Sequence, residues 1–477
     1  MGDRLLIWGA ISFCWQIIMG LVLPKFLIPL LGAHSFGQLS FFWILLHPAM
    51  WLDFSGNINA GLIARLYQFD FPQKQLKIGN YYFATWIWWV LVWLLISVIV
   101  INTKSITIIS PFILILTFFL PFLIYQSYWV IINWYLKQQY IKIYQFHIFL
   151  SAFWLLTCYL GLQFFPQINT IIVSSMLTSI IAAYFGIKTK KTLKFQLGIV
   201  TGQVKDYLSS LKKSLIFQKL FVIQAGLGIL VLQVDRLIIA SSIDWEWVAY
   251  YFVPLGILFK LPAFLAVYSR PLISQISILW FDHKREQVQE IFTRIVIGVF
   301  LLSITAIVPM NLYLQDIVSL WISVQFAEKA VLAIQFVICL FPLSILLMFG
   351  QNFLIAIHGE KVANFISIVV SLFHWLGTYF GVKYWGATGI GFGFISETVG
   401  ALVIILFTGF RIFENVSISK WLVKFVSIVF IWMASIWVIN FMPSSLKYPD
   451  FEVIFILQII IIAPILLYIR KGWHFKS

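Results

Sequence analysis

Charge is what this sequence has least of. Only 10% of its 477 residues are Asp, Glu, Lys or Arg, against about 25% in an ordinary soluble domain, so a water-facing surface cannot be built from them. Acids are the scarcer half, with 17 Asp and Glu against 32 Lys and Arg. Cysteine is almost absent: Cys14, Cys158 and Cys339 lie far apart inside apolar runs, which excludes a disulfide framework or a cysteine-based metal motif. The seven histidines are scattered without metal-ligand spacing, and His47, His147 and His374 read as buried, hydrogen-bonded residues. No Gly-Lys-Ser/Thr phosphate loop occurs, so ATP hydrolysis by that route is excluded. No cofactor, catalytic set or metal site is implied.

What is present in excess is apolar surface. The chain is 62% hydrophobic with a mean hydropathy of +0.98, and such a chain folds only with lipid as its solvent. In lipid every backbone amide needs an internal partner, which leaves helix bundles or closed barrels. Long apolar runs without strict alternation select helices, so the fold class expected is all-α and polytopic. At about 20 residues per crossing, about 14 spans are predicted. The first six run near Leu5–Leu31, Gln38–Leu62, Tyr81–Ile101, Ile109–Asn133, Ile143–Phe164 and Thr170–Ile187. Six more follow near Leu215–Ala240, Trp247–Ile278, Ile291–Leu314, Ala330–Ile357, Val362–Tyr384 and Thr388–Phe410, with a final pair near Trp421–Phe441 and Phe451–Ile469. The run from Leu5 is longer than a signal-peptide core and has no small-residue cleavage site, so it reads as the first helix.

The layout therefore divides into an N-terminal lobe (1–187), a basic linker (188–213), a C-terminal lobe (214–412) and an added helix pair (413–477). In the linker Val204, Tyr207, Leu208 and Leu211 share one helical face with Lys205 and Lys212 off it, the pattern of a segment lying on an anionic membrane surface. Two six-helix halves around a central path is the arrangement expected of a transporter. With the N-terminus inside, 21 of the 32 basic residues fall in inward loops and only Lys104, Lys329, Lys383 and Lys447 in outward ones. The positive-inside rule then places both termini in the cytoplasm. The net charge of +15 is thus an orientation signal and not a nucleic-acid footprint.

A charge near the middle of a spanning helix costs about 2.5 to 3.5 kcal/mol on insertion scales and so faces a cavity or a partner. The embedded set is Lys25, Asp53, Asp235, Arg236, Lys260, Arg270 and Glu397, with Arg65 just past the second helix on the inner side. Cations outnumber acids, which tilts the set toward an anion. Arginine offers phosphate a planar two-pronged donor and lysine a mobile point charge. Lys25, Arg65, Arg236, Lys260 and Arg270 are the candidate substrate-binding residues; Asp53, Asp235 and Glu397 serve ion coupling or structural pairing. The competing reading has Asp235 neutralise Arg236 and the lysines snorkel to an interface. Asp244 and Glu246 form an Asp-x-Glu on a short outward loop, and Trp86, Trp88, Trp89 and Trp93 read as an interfacial aromatic surface.

Several short motifs resemble one family. Pro29-Leu-Leu-Gly-Ala-His-Ser-Phe-Gly37, Leu52-Asp-Phe-Ser-Gly56 and Gly61-Leu-Ile-Ala-Arg65 resemble the opening of Wzx-type O-antigen and polysaccharide flippases. Those flippases belong to the multidrug/oligosaccharidyl-lipid/polysaccharide (MOP) exporter superfamily. Val234-Asp-Arg-Leu-Ile-Ile239, Val248-Ala-Tyr-Tyr251 and Arg270-Pro-Leu-Ile-Ser274 resemble its second half. Ser55 before Gly56 and Val248 before Ala249 depart from the usual pattern, which leaves the glycan open. The resemblance implies two lobes rocking around a cationic cavity in a bacterial inner membrane. The substrate implied is an undecaprenyl-pyrophosphate-linked oligosaccharide, with a polysaccharide polymerase as a partner. A lipid-linked polysaccharide polymerase or ligase, and a multidrug exporter of the same superfamily, are the alternatives. The first lacks its long outward loop here, and the second calls for an acid-dominated cavity.

Overall fold

The computed structural model describes residues 2–46, 140–192, 234–259 and 275–413, with 421–423, 425–427 and 429–430. The expected spans near 81–101, 109–133 and 451–469, most of the linker, and the Trp86 to Trp93 cluster lie outside the described residues. Among the described residues the structure is helical without strands, and helices long and apolar enough to cross a membrane recur through it. The all-α, multi-pass architecture is therefore the observed one. Two compact units divide the chain, Met1–Ala249 and Tyr250–Ser477.

In the first unit α1 (Gly2–Leu46) holds Pro24 and Pro29 and breaks at Gly32, whose φ of 77° and ψ of 158° lie outside the helical region. Forty-five residues of unbroken helix would run about 67 Å, far past a hydrocarbon core of about 30 Å, so the chain must turn. Glycine reaches that backbone conformation without the steric penalty a Cβ brings. The break falls between the first two expected spans, and helix resumes at once, so residues 33–37 are helical where a loop was expected.

Helices α2 (Tyr140–Phe164) and α3 (Ile168–Thr192) form a hairpin that packs on α1. At its turn Thr170 donates its hydroxyl to the Phe165 carbonyl at 2.6 Å. Buried Trp154 donates its indole N–H to Ser175 Oγ at 2.8 Å, tying the two helices together. Ser174, Ser175, Thr178 and Ser179 are all buried, and each returns its hydroxyl to the carbonyl four residues back. That local bond satisfies a polar group in an apolar setting. The opposite faces expose Leu156, Leu160, Phe164, Leu177, Ile180 and Tyr184, the pattern of a protein whose solvent is acyl chain. α3 runs on to Thr192, so Lys188, Lys190 and Lys191, where the basic segment begins, continue this helix at its C-terminal end; cations there complement the helix dipole.

Residues 234–242 are helical, and α4 (Trp245–Leu258) follows after a short break. In the second unit α5 (Arg285–Trp321) kinks at Tyr313. Next comes α6 (Val324–Ala356), started by Ser323, whose hydroxyl accepts the Phe326 amide at 3.2 Å. α6 is the buried pillar of this unit, packed by α5 on one side and by α8 (Gly393–Ile412) on the other. α7 (Glu360–Trp385) turns back through a 3-10 segment, Gly386–Phe392, and packs on α8. Gly381 and Gly389 meet backbone to backbone there: a Cβ on Gly381 would sit 2.2 Å from the Gly389 carbonyl oxygen. Gly377 and Gly381 form the small-xxx-small spacing that lets membrane helices approach closely.

Candidate functional site

The described part of the embedded charge set is Lys25, Asp235, Arg236 and Glu397. Asp53, Arg65, Lys260 and Arg270 lie outside the described residues. On α1 the exposed residues Cys14, Ile18, Leu21, Val22, Lys25 and Pro29 fall at steps of three and four, one continuous stripe. Lys25 is the one charged side chain in that stripe. The Pro24 side chain and Leu23, Leu27 and Ile28 turn inward on the other side. The ammonium is thus presented at a surface of the unit, where it meets lipid or a wet cavity, and is not locked into the helix packing.

Asp235 and Arg236 are the contrasting case. Both lie in the helical stretch 234–242 and both are buried, at 2% and 6% exposure. One step along a helix turns the two side chains apart, so a carboxylate and a guanidinium removed from solvent here each call for compensation by their surroundings.

Glu397 stands apart in the second unit, and its contact is one the sequence did not reveal. Its Oε1 lies 3.0 Å from Nδ1 of His374 on α7, with side-chain exposures of 19% and 2%. The Phe394 ring meets the imidazole edge-on at 5.4 Å. Gly393 permits the approach, since a Cβ there would fall 2.4 Å from Thr378 Oγ1 and 2.8 Å from His374 Nε2. His374 was expected to be a buried histidine and is one. That its partner is Glu397, 23 residues away across a helical hairpin, had no local signal in the sequence.

Other expected features find structural roles. His147 is buried with its Nδ1 3.5 Å from Ser12 Oγ. Asp244, half of the Asp-x-Glu, lies 3.0 Å from His34 Nδ1 with both side chains about half exposed, and its carboxylate also accepts the Trp245 amide at the start of α4. His34 Nε2 is in turn 3.2 Å from Gln38 Nε2. Asp244 is therefore engaged with His34 of α1 and with the first amide of α4.

No family model matches the sequence, and no curated protein matches it. Solved structures do. The lipid II flippase MurJ in an inward closed conformation superposes with a TM-score of 0.60 at 14% identity, over 99% of this chain and 98% of its own. The Vibrio cholerae MATE transporter VcmN gives 0.55 at 13% identity, over 86% of this chain and 97% of its own. A multidrug resistance MATE family transporter of the MOP superfamily, inward-facing, gives 0.53 at 14% identity over 86% and 96%. This chain has the polytopic helical fold that a lipid II flippase and the MATE transporters share.

Proposed function

We propose that this protein is a flippase of the MOP type, similar to the Wzx group, which moves an undecaprenyl-pyrophosphate-linked oligosaccharide across a bacterial inner membrane by alternating access. The observation that carries the reading is a fold shared along nearly its whole length with a lipid II flippase, in a chain whose embedded charges lean cationic. Lys25, Arg65, Arg236, Lys260 and Arg270 hold the pyrophosphate in this reading, Arg65 capturing it at the inner mouth. Asp53, Asp235 and Glu397 supply coupling or pairing. Residues 1–187 and 214–412 act as the two lobes, joined by 188–213, and the last pair 413–477 is added to them. Both termini are cytoplasmic, and a polysaccharide polymerase receives the product.

The energetics need no nucleotide. A head with about two negative charges moving outward across about 100 mV, inside negative, gains roughly 4.6 kcal/mol, or about a thousandfold bias. Protein cations that travelled with the head would cancel that gain and make an ion gradient the driver instead.

The test is reconstitution in liposomes with a fluorescent undecaprenyl-pyrophosphate glycolipid, scoring leaflet exchange at zero, inside-negative and reversed potential. Wild type exchanges it, and Arg236→Ala slows exchange at least tenfold. Exchange unchanged in Arg236→Ala removes that residue from the site, and new glycosidic bonds without exchange favour a polymerase. The MATE structures motivate a second reading, export of cationic drugs; efflux of ethidium from the same liposomes without glycolipid movement selects it.

A further inference from the structure

The pairing of His374 with Glu397 carries more than helix adhesion. α7 presents Asn364, Ser367, Ser371, His374 and Thr378 at steps of three, four, three and four, and all five are buried at 7% exposure or less. The packed face of a membrane helix is largely apolar, and here five positions over about four turns are not. The row rises about 21 Å, about 70% of a hydrocarbon core of about 30 Å. Ser367 accepts from Gln351 Nε2 of α6 at 2.8 Å while donating to the Ala363 carbonyl at 2.8 Å. Asn364 Oδ1 and Thr378 Oγ1 are buried with no hydrogen-bond partner among the described residues, so the row ends on open acceptor or donor capacity at both extremes.

We propose that His374 and Glu397 form an exchangeable one-proton site within the second unit, served by the polar row of α7. With the imidazole neutral and the carboxylate ionised the pair carries one negative charge; a proton from water on the imidazole gives an imidazolium facing a carboxylate and no net charge. The two states differ by one net charge, a difference that a buried site registers strongly. The exposures give the proton its door, since Glu397 at 19% meets the outside and His374 at 2% does not.

Along the described elements packed on α7 the other ionisable groups are few. On α8 the ionisable groups are Glu397 itself and Arg411, more than three turns away. On α6 none but Cys339 lies between Lys329 and the helix end. The 3-10 segment has none, and on α7 the remainder are Glu360, Lys361, Tyr379, Lys383 and Tyr384. This site deepens the transport reading, on which it rests for what the proton drives: occupancy would then set which state of the second unit is favoured.

Infrared-detected pH titration of the purified protein in lipid nanodiscs, with no substrate present, decides whether the site exists. In wild type a carboxylate band shifts at the same midpoint as an imidazole protonation. His374→Gln removes that imidazole transition and the carboxylate shift with it, and Glu397→Gln moves the imidazole midpoint by at least about one pH unit, a tenfold change in proton affinity. A carboxyl titration in His374→Gln that superimposes on wild type overturns the proposal, even if the variant's Tm is lower. If His374→Gln does not fold, Glu397→Gln and wild type still decide: an unchanged imidazole transition overturns it. In liposomes the glycolipid exchange rate of wild type depends on pH and that of Glu397→Gln does not. No glycolipid exchange by wild type at any pH sinks the transport reading while the nanodisc titration still judges the proton site.

Discussion

Replacing Gly381 with alanine tests the close contact of α7 with the segment that follows it. The added Cβ would sit 2.2 Å from the Gly389 carbonyl oxygen and 3.0 Å from its carbon. An ordinary contact needs 3.4 Å or more, so the two backbones must part by more than about 1 Å. The obstacle is main chain and not the free end of a side chain, so no rotamer change relieves it. Overpacking of this kind costs about 1 to 3 kcal/mol, and the rigid neighbour places Gly381→Ala at the upper end. About 3 kcal/mol is about a 150-fold rise in the unfolding constant. Gly256 supplies the control, since a Cβ there meets nothing within 4 Å inside α4, and Gly→Ala in a helix interior gains about 1 kcal/mol. Denaturation followed by tryptophan fluorescence in detergent should move the midpoint down for Gly381→Ala and up for Gly256→Ala. Equal midpoints, or Gly381→Ala the more stable, would refute the packing argument.

Further outcomes follow from other contacts. Trp154→Phe removes the bond to Ser175 and part of a fully buried ring, lowering stability by about 1 to 2 kcal/mol, while Trp154→Ala lowers it by about 3 to 5; no loss in Trp154→Phe in the same denaturation assay would deny the bond a role. Cys14 lies 11 residues, close to three full turns, from Lys25 on the exposed stripe of α1. If that stripe borders a wet cavity, a membrane-impermeant maleimide labels Cys14 in intact membranes and leaves buried Cys158 untouched. Labelling of Cys14 by lipid-soluble reagents alone would assign Lys25 to the lipid face. His34→Ala breaks a half-exposed ion pair and should cost under about 1 kcal/mol, whereas Asp244→Ala also frees the Trp245 amide and should cost about 1 kcal/mol more; identical thermal midpoints would count against the capping role.

Much of the fold was legible because lipid imposes a simple rule on sequence. Helices must be about 20 apolar residues long, so the runs ending at Phe164, starting near Thr170, and expected over 330–357, 362–384 and 388–410 are helical where expected, with ends shifted by a few residues and the last beginning as a 3-10 segment. The extension of α3 to Thr192 was missed because an amphiphilic basic tail has no apolar signal, yet it prolongs a helix at no cost once outside the hydrocarbon. The helix resuming directly after Gly32 was missed for a related reason, since a break of one residue leaves no polar loop to read.

The site was legible only in part. Which residues are anomalous follows from composition, because a charge in an apolar run is costly wherever the chain goes. That is how Lys25, Asp235, Arg236 and Glu397 were found. Where each one points does not follow. Lys25 and Arg236 look alike in sequence, and packing leaves the first at a surface and buries the second. The strip of polar residues on α7 is written in the sequence at helical spacing, yet Ser and Thr serve equally to bond their own backbone, so spacing alone does not mark a site. The His374–Glu397 contact is a property of two helices meeting at glycine. One dimension of sequence determined the solvent, the helices and the list of buried charges; three dimensions decided their partners, because partnership between helices depends on crossing geometry and rotation that no local pattern encodes.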